Sequence, residues 1–401
     1  MTLVTREVEL PLTETPWAAA AVVVRRLREA GHQAVFVGGC VRDLLLGRAV
    51  KDIDVASDAS PEAVEALFEQ TVAVGKQFGV IIVVTPEGQH VEVAAFRSDE
   101  AYVDGRRPTG IRAATEAEDV WRRDFTINAL VADSAGIIRD HVGGLADLDN
   151  RVIRVVGGAD RLVEDRLRVM RGLRFAAQLA CTIEPATWEA IRTTEMVGLS
   201  RERIWEEWDK ILSQPQRAHW WQLLVDAGHA SVLGPTDPTE QVADRLQALP
   251  ADCHCDLAVA ATLMNTPETE AWLKREPISR DRRRRLVTLL SWRDPAHWAV
   301  QPLALRRRVL RFAEGRELLI LWQATAPQWA GHTDAAAELA REQGRELANW
   351  LSADDLMAMG FPRSKALGDA LRALEDAELE ERITDRVSAE MLAKSLLSQQ
   401  Q

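Results

Sequence analysis

Val35-Phe36-Val37-Gly38-Gly39-Cys40-Val41-Arg42-Asp43, followed by Lys51-Asp52-Ile53-Asp54-Val55, decides how this chain is read. Val35 to Val37 is a short apolar, β-branched run and reads as a buried strand. Gly38-Gly39 ends it, and glycines there let the backbone turn sharply and approach a phosphate closely. Val41 to Leu46 reads as a helix turn leading out of that loop. Such a strand–turn–helix unit aims backbone N–H groups and a helix N-terminus at an anion. Asp52 and Asp54 follow on a second strand. At spacing two both carboxylates point to one face. They repel unless a cation sits between them, and hard oxygen ligands suit Mg²⁺ holding nucleotide phosphates.

Taken singly, a Gly-Gly turn is usually only a turn, and Asp-x-Asp is often a solvated strand end. Together and in order, Gly38-Gly39-x-x-Arg42-Asp43 and Asp52-x-Asp54 resemble the signature of the DNA polymerase β-type nucleotidyltransferase superfamily. The full form is similar to the class II CCA-adding tRNA nucleotidyltransferases and bacterial poly(A) polymerases. The resemblance is specific from Ala34 to Leu212 and loose beyond.

The rest of the composition fits a globular chain. Its 401 residues are more than one core normally supports, so two or more packed units are expected. A hydrophobic share of 47% and a charged share of 27% are ordinary for globular proteins. No apolar run is long enough to span a membrane, and the first residues lack an apolar signal core, so no membrane partner and a cytoplasmic location are expected. Four cysteines give no disulfide framework, and Cys253-His254-Cys255 lacks the second ligand pair a structural zinc site needs. The net charge of −12 argues against a general nucleic-acid coat. It leaves room for a local basic surface. Glu276 to Arg311 holds ten arginines against three acids.

Along the chain, Trp17 to Ala30 reads as a helix closed by Gly31, and Ser60-Pro61-Glu62 starts another that runs to about Glu69. Gly79–Thr85 and His90–Phe96 read as strands joined by a turn, in a mixed sheet of four or five strands. Arg97 to Val120 is a long polar connection centred on Asp104-Gly105-Arg106-Arg107-Pro108. Ala129–Ala132, Ile137–Asp140 and Val152–Val156 are short strand candidates. From Asp160 onward helical periodicity takes over. The expected fold class is α+β: a head over 1–150 with mixed β-sheet and helices, a helical neck over 151–235, and a helical body and tail over 236–401.

Three further stretches carry chemistry. Glu92, on the strand from Val91 to Phe96, is a candidate third carboxylate beside the Asp pair. Arg122-Arg123-Asp124-Phe125-Thr126-Ile127-Asn128 offers two phosphate-binding forks, then an acid and an amide four apart that share a face on a helix and can hydrogen-bond a ribose. Glu164 to Phe175 reads as one helix with Val163, Leu167 and Met170 on its apolar face and Asp165, Arg168 and Gly172 opposite. Gly172, costly in mid-helix, leaves room beside the pair for something flat. Asp165 only accepts and Arg168 only donates. Cytosine and adenine each present an amino donor beside a ring-nitrogen acceptor. Uracil and guanine present a carbonyl and a ring N–H there.

The Arg122–Asn128 and Glu164–Arg168 stretches match the family's motifs. The resemblance implies a head of the nucleotidyltransferase type, with Asp52, Asp54 and Glu92 catalytic, and Asp52 and Asp54 on two Mg²⁺ ions. It implies nucleotide binding by Gly38, Gly39, Arg42, Asp43, Arg122, Arg123, Asp124, Asn128, Asp165 and Arg168, and RNA binding by Arg106, Arg107, Arg171 and Arg174. The implied activity is addition of CMP and AMP from CTP and ATP to the tRNA 3′ end. The alternatives are A-adding, CC-adding and poly(A)-forming enzymes, and an inactive RNA-binding relative. His141, where the family usually has proline, is a mild departure; Gly143-Gly144 and Asp147-Leu148 stay in place. Ser200 to Leu212 reads as structural support for the Asp165–Arg168 helix. The Arg280–Arg285 and Arg306–Arg308 clusters are candidates for gripping RNA phosphates, or are solvated helix faces.

Overall fold

The computed structural model describes residues 3–75, 79–99, 111–237, 241–264 and 266–399. The chain divides into two compact units, Met1–Leu233 and Gly234–Gln401.

The first unit is built on strands β1 (Val4–Glu7), β2 (Ala34–Val37), β3 (Asp54–Ser57), β4 (Thr71–Gly75), β5 (Val80–Val84), β6 (His90–Ala95), β7 (Arg97–Asp99), β8 (Ile111–Ala113), β9 (Val131–Ala132) and β10 (Ile137–Asp140). Eight of them form one sheet in the order β1-β10-β9-β2-β3-β6-β5-β4. The sheet is wider than the four or five strands expected. β9 and β10, expected as short strands, join it, and its two edges, β1 and β4, were not expected. β1 is largely exposed and lacks an apolar face, so periodicity does not announce it. The central β2 is buried at all four positions, as its unbroken apolar run requires. β3 runs parallel to β6 and antiparallel to β2, and the register sets Asp54 beside both Val37 and Glu92. The Gly38 turn, Asp54 and Glu92 therefore share one end of the sheet.

Helix α1 (Trp17–Glu29) buries Trp17, Ala20, Val23, Val24 and Leu27, the stripe its spacing predicts. Trp17 meets Phe36 of β2 edge-on with ring centroids 5.3 Å apart. α2 (Gly39–Leu45) leaves the glycine turn, and α3 (Pro61–Leu67) is capped by the Ser60 hydroxyl, which accepts from the Ala63 N–H. β7 and β8 pair as a separate antiparallel ribbon. They lead into α4 (Glu116–Trp121), whose Thr115–Glu118 capping box fixes its start. Both ends of the expected long connection are thus ordered structure. Arg106 and Arg107 lie outside the described residues.

The chain continues with α5 (Gly144–Asp149), β11 (Val152–Ile153), α6 (Asp160–Glu164), α7 (Leu167–Leu179), β12 (Thr182–Ile183), α8 (Pro185–Thr193), α9 (Arg201–Leu212) and α10 (Arg217–Asp226). Asp140 ties β10 to α5 by accepting the N–H groups of Val142, Gly143, Gly144 and Leu145. Gly144 is obligatory: a Cβ there would lie 2.1 Å from the Thr126 carbonyl oxygen.

The second unit is helical among its described residues. Leu351, Leu356, Phe361, Leu374 and Ile383 centre its C-terminal core. Its arginine clusters are largely internal struts. Arg282 donates to Asp256, and Arg283 donates to the carbonyls of Leu273, Glu276 and Ile278. Arg285 pairs with Glu317, Arg307 with Glu381, and Arg308 with Glu375 and Asp376. A guanidinium already satisfied by carboxylates has little left for an RNA phosphate. The phosphate-gripping expectation for these clusters is therefore set aside, Arg280 and Arg284 excepted.

Candidate functional site

At the Gly38 end of the sheet lies an open cavity of about 560 Å³. The first loop contributes Gly38, Gly39 and Arg42; β3 contributes Asp54; the segment after α4 contributes Arg122, Arg123, Asp124 and Asn128; the junction of α6 and α7 contributes Asp165, and α7 contributes Arg168 and Arg171. Eleven of the residues singled out from sequence thus line one space. Asp43 stands behind Arg42, accepting from its Nε and Nη2 at 3.0 and 2.9 Å.

Gly38 has φ +77°, which side chains rarely adopt, and a Cβ there would come within 3.1 Å of Arg123 Nη1. The glycine thus serves both the turn and the close approach of a guanidinium. Asp54 opens β3; Asp52 precedes the strand rather than lying on it. Burial pushes the Asp54 carboxyl up, Asp52 adds repulsion, and Arg123 pulls the other way. Burial and the Asp54 charge push Glu92 up too. Among the described residues none of these three carboxylates has an ion pair.

Asp124 and Asn128 do meet, with Asn128 Nδ2 donating to Asp124 Oδ1 at 3.1 Å. They do so across a 3₁₀ turn, Thr126–Asn128, and not on the α-helix expected. Phe125 is extended and fully buried, and its packing breaks the helical run. Asn128 Oδ1 accepts from Arg42 Nη1 at 2.6 Å. Asp124 Oδ2 accepts from Arg171 Nε and Nη2 at 2.8 and 2.6 Å. Burial pushes the Asp124 carboxyl up, but Arg171 and three hydrogen bonds outweigh it and hold it at about 2. Glu207 then bridges Arg171 (3.8 Å), Arg174 (2.7 Å) and Lys210 (3.0 Å). The guanidiniums of Arg42, Arg171 and Arg174 stand 5.1, 5.4 and 4.2 Å from the centre of the Phe175 ring. Arg171 and Arg174 are therefore committed to Asp124 and Glu207.

The expected single helix from Glu164 is two. α6 stops at Asp165, which has φ −140° and ψ 96°, and α7 starts at Leu167. Asp165 bonds the Leu167 N–H at 3.2 Å and is held by Arg203 of α9 at 3.0 and 2.7 Å. Arg168 Nη1 is held by the Arg161 carbonyl and Glu164 at 2.6 and 3.1 Å, and its Nη2 by the Arg122 carbonyl at 3.2 Å. The Arg168 N–H donates to the Asp165 carbonyl at 2.9 Å, but among the described residues their side chains do not pair with each other. Each is fixed from behind and keeps hydrogen-bonding capacity. Val163 is 49% exposed and leaves the apolar face to Leu167 and Met170. Gly172 does leave room for something flat, and that object is the Phe125 ring, 2.8 Å from where a Cβ would sit.

Sequence reasoning did not single out Phe175 and Glu206, and it read Arg203, Glu207 and Lys210 as support for the Asp165–Arg168 helix rather than as cavity lining. The i, i+4 and i, i+7 spacing of Arg203, Glu207 and Lys210 was the available signal on α9.

Known proteins resemble this chain in sequence and in fold. Residues 34–154 match the poly A polymerase head domain, and residues 181–236 match the probable RNA and SrmB-binding site of polymerase A. CCA-adding enzymes of Streptococcus pyogenes and Streptococcus thermophilus are 43% and 44% identical over 205 residues, half of this chain and half of each relative. The matched chain thus spans about half the length of these curated relatives. The Bacillus stearothermophilus CCA-adding enzyme in complex with CTP superposes with a TM-score of 0.80 at 26% identity, covering 96% of this chain and 99% of that one. The Thermotoga maritima CCA-adding enzyme complexed with tRNA shares the fold, with a TM-score of 0.71 at 20% identity over the full length of both. Residues 34–154 are thus similar to the poly A polymerase head domain, half of the chain is similar in sequence to CCA-adding enzymes, and nearly the whole chain is similar to them in fold.

Proposed function

We propose that this protein adds CMP and AMP, from CTP and ATP, to the 3′ end of tRNA to complete CCA, and does so in the cytoplasm. The carrying observation is one cavity that gathers the Asp54 carboxylate, the Arg122–Arg123 pair and the Asp165–Arg168 pair. The named relatives, CCA-adding enzymes, support the product. In this reading 1–150 is the catalytic head, 151–235 the neck that selects the base, and 236–401 the body and tail against tRNA.

The family is generally metal-dependent. The carboxylates of this chain fit that requirement, because Asp54 and Glu92 are both pushed up by burial and like charge, a state a cation relieves. Asp52 and Asp54 would hold the metal, proposed as two Mg²⁺, which when bound polarises the α-phosphate and favours the attacking 3′-hydroxyl. Glu92 flanks Asp54 on the next strand and orients that hydroxyl. Arg122 and Arg123 bind the triphosphate through forked donors. Asp124 and Asn128 face the ribose, and Arg42, held by Asp43, fixes Asn128.

Asp165 accepts from the exocyclic amine of cytosine or adenine, and Arg168 donates to the neighbouring ring nitrogen. Uracil and guanine would oppose an acceptor to Asp165 and a donor to Arg168. Each unsatisfied buried partner costs about 1–3 kcal/mol. Because Arg203 holds Asp165 and Glu164 holds Arg168, the protein itself fixes the pair, and selection needs no nucleic-acid template.

The test supplies each of the four nucleoside triphosphates singly to a tRNA transcript ending at its discriminator base. Incorporation of C alone at that end, then of A once CC is in place, supports the reading. Indifferent use of all four overturns it.

A further inference from the structure

We propose that Asp119 is the positioning residue that presents Arg122 and Arg123 to the nucleotide's triphosphate, and that it links their placement to the β7–β8 ribbon. This rests on the triphosphate reading of the cavity given above.

Asp119 is 2% exposed and lies outside the cavity lining. Its Oδ1 accepts from Arg122 Nε at 2.8 Å and its Oδ2 from Arg123 Nη2 at 3.0 Å. One carboxylate thus spreads two guanidiniums, which are only 19% and 18% exposed. Arg123 reaches from that carboxylate to the Gly38 turn, and its charge is felt at Asp54. Arg123 Nε is buried and donates to nothing among the described residues. The Arg123 atom that approaches the Gly38 turn is Nη1. Without Asp119, two adjacent like charges facing a shared cavity would repel each other apart.

The placement of Asp119 argues for this role over a local one. It lies in the first turn of the six-residue α4, where the helix dipole also favours an acid, so what sets it apart is its contacts beyond the helix. The same Oδ1 also accepts the backbone N–H of Arg97, at the start of β7, at 3.4 Å. At its other end α4 is anchored by Glu116, which Arg139 grips at 2.8 and 2.6 Å and His141 at 3.1 Å. α4 is therefore a short bracket, fixed at its start and carrying the arginine pair at its end. A shift of the ribbon at Arg97 is transmitted to the pair through one carboxylate.

The experiment measures equilibrium binding of CTP and CMP to the full chain, in Mg²⁺ buffer and without RNA, for wild type, Asp119→Asn and Asp119→Glu. Melting temperatures are recorded alongside. Loss of a charge-assisted clamp on two triphosphate ligands should weaken CTP binding about tenfold in Asp119→Asn and leave CMP binding within about twofold. Asp119→Glu should restore part of the CTP preference. In turnover the effect should fall on KM for the triphosphate more than on kcat. A CTP-to-CMP preference unchanged in Asp119→Asn, with only a lowered melting temperature, would overturn the proposal. If Asp119→Asn does not fold, an unchanged preference in Asp119→Ser, which also removes the carboxylate, overturns it equally. A wild type that binds CTP no better than CMP would instead sink the underlying reading of the cavity, and shows itself without any variant.

Discussion

Gly172→Ala sets helix propensity against packing, and the structure says which wins. Alanine in mid-helix is worth about 0.5–1 kcal/mol over glycine. The added methyl would lie 2.8 Å from Phe125 Cζ, 3.2 Å from its Cε1 and 3.4 Å from Ile191 Cδ1. Phe125 cannot retreat freely. It is fully buried and stands edge-on to Phe175 with centroids 5.9 Å apart. Forcing a methylene into such a core costs about 1–3 kcal/mol. The balance is a net loss of about 1 kcal/mol from the neck, although the substitution favours the helix. Amide hydrogen exchange of peptides within Leu167–Leu179 reads this locally, and about fivefold faster exchange is expected. Phe125 directly follows Asp124, so the displaced ring should also loosen the Asp124–Arg171 pair. Exchange in α7 that slows by the amount propensity alone predicts would refute the reasoning, because the space beside Gly172 would then be free.

The acid limb of stability should carry a signature of Asp124. Its carboxyl is held at about 2 against an ordinary 3.8, so its contribution is full above about pH 4 and is lost as pH falls towards 2. By the size of the shift this is on the order of 2 kcal/mol, and the stability gap between wild type and Asp124→Asn should narrow over that window in melting experiments; a gap constant from pH 5 to pH 2 would count against the pairing. At the pair proposed to read the base, Asp165→Ala and Arg168→Ala should raise UTP and GTP incorporation relative to CTP and ATP more than they alter metal dependence. Unchanged misincorporation in both variants would remove the pair from base selection.

Much of the site could be read from residue type and spacing, because close contacts are made by local stretches. Gly38-Gly39 needed its positive φ, and a bare acid beside a Gly-rich turn has few other uses. What could not be read is how distant stretches satisfy one another. Nothing in the order of residues says that Arg203, 38 positions away, holds Asp165, or that Glu207 closes the charge chain from Asp124. Gly172 was recognised as making room, but the occupant is set by tertiary packing of Phe125. The break at Asp165 was masked by flanks that both have helical periodicity; its extended φ and ψ come from the bonds to Arg203 and the Leu167 N–H. In the second unit, runs of arginine looked like an RNA surface because sequence counts charges and not their partners. The edge strand β1 escaped notice because it hides nothing apolar.

The most direct test of the account uses three tRNA transcripts, ending at the discriminator base, at C and at CC, incubated with CTP, ATP and Mg²⁺ and resolved by single-nucleotide gel. Wild type is predicted to extend all three to CCA and stop, while Asp54→Ala, which removes the carboxylate between Asp52 and Glu92, extends none yet still binds tRNA. Extension of the CC-ended transcript alone, a stop at CC, long A tails, or wild-type rates in Asp54→Ala would each contradict the account.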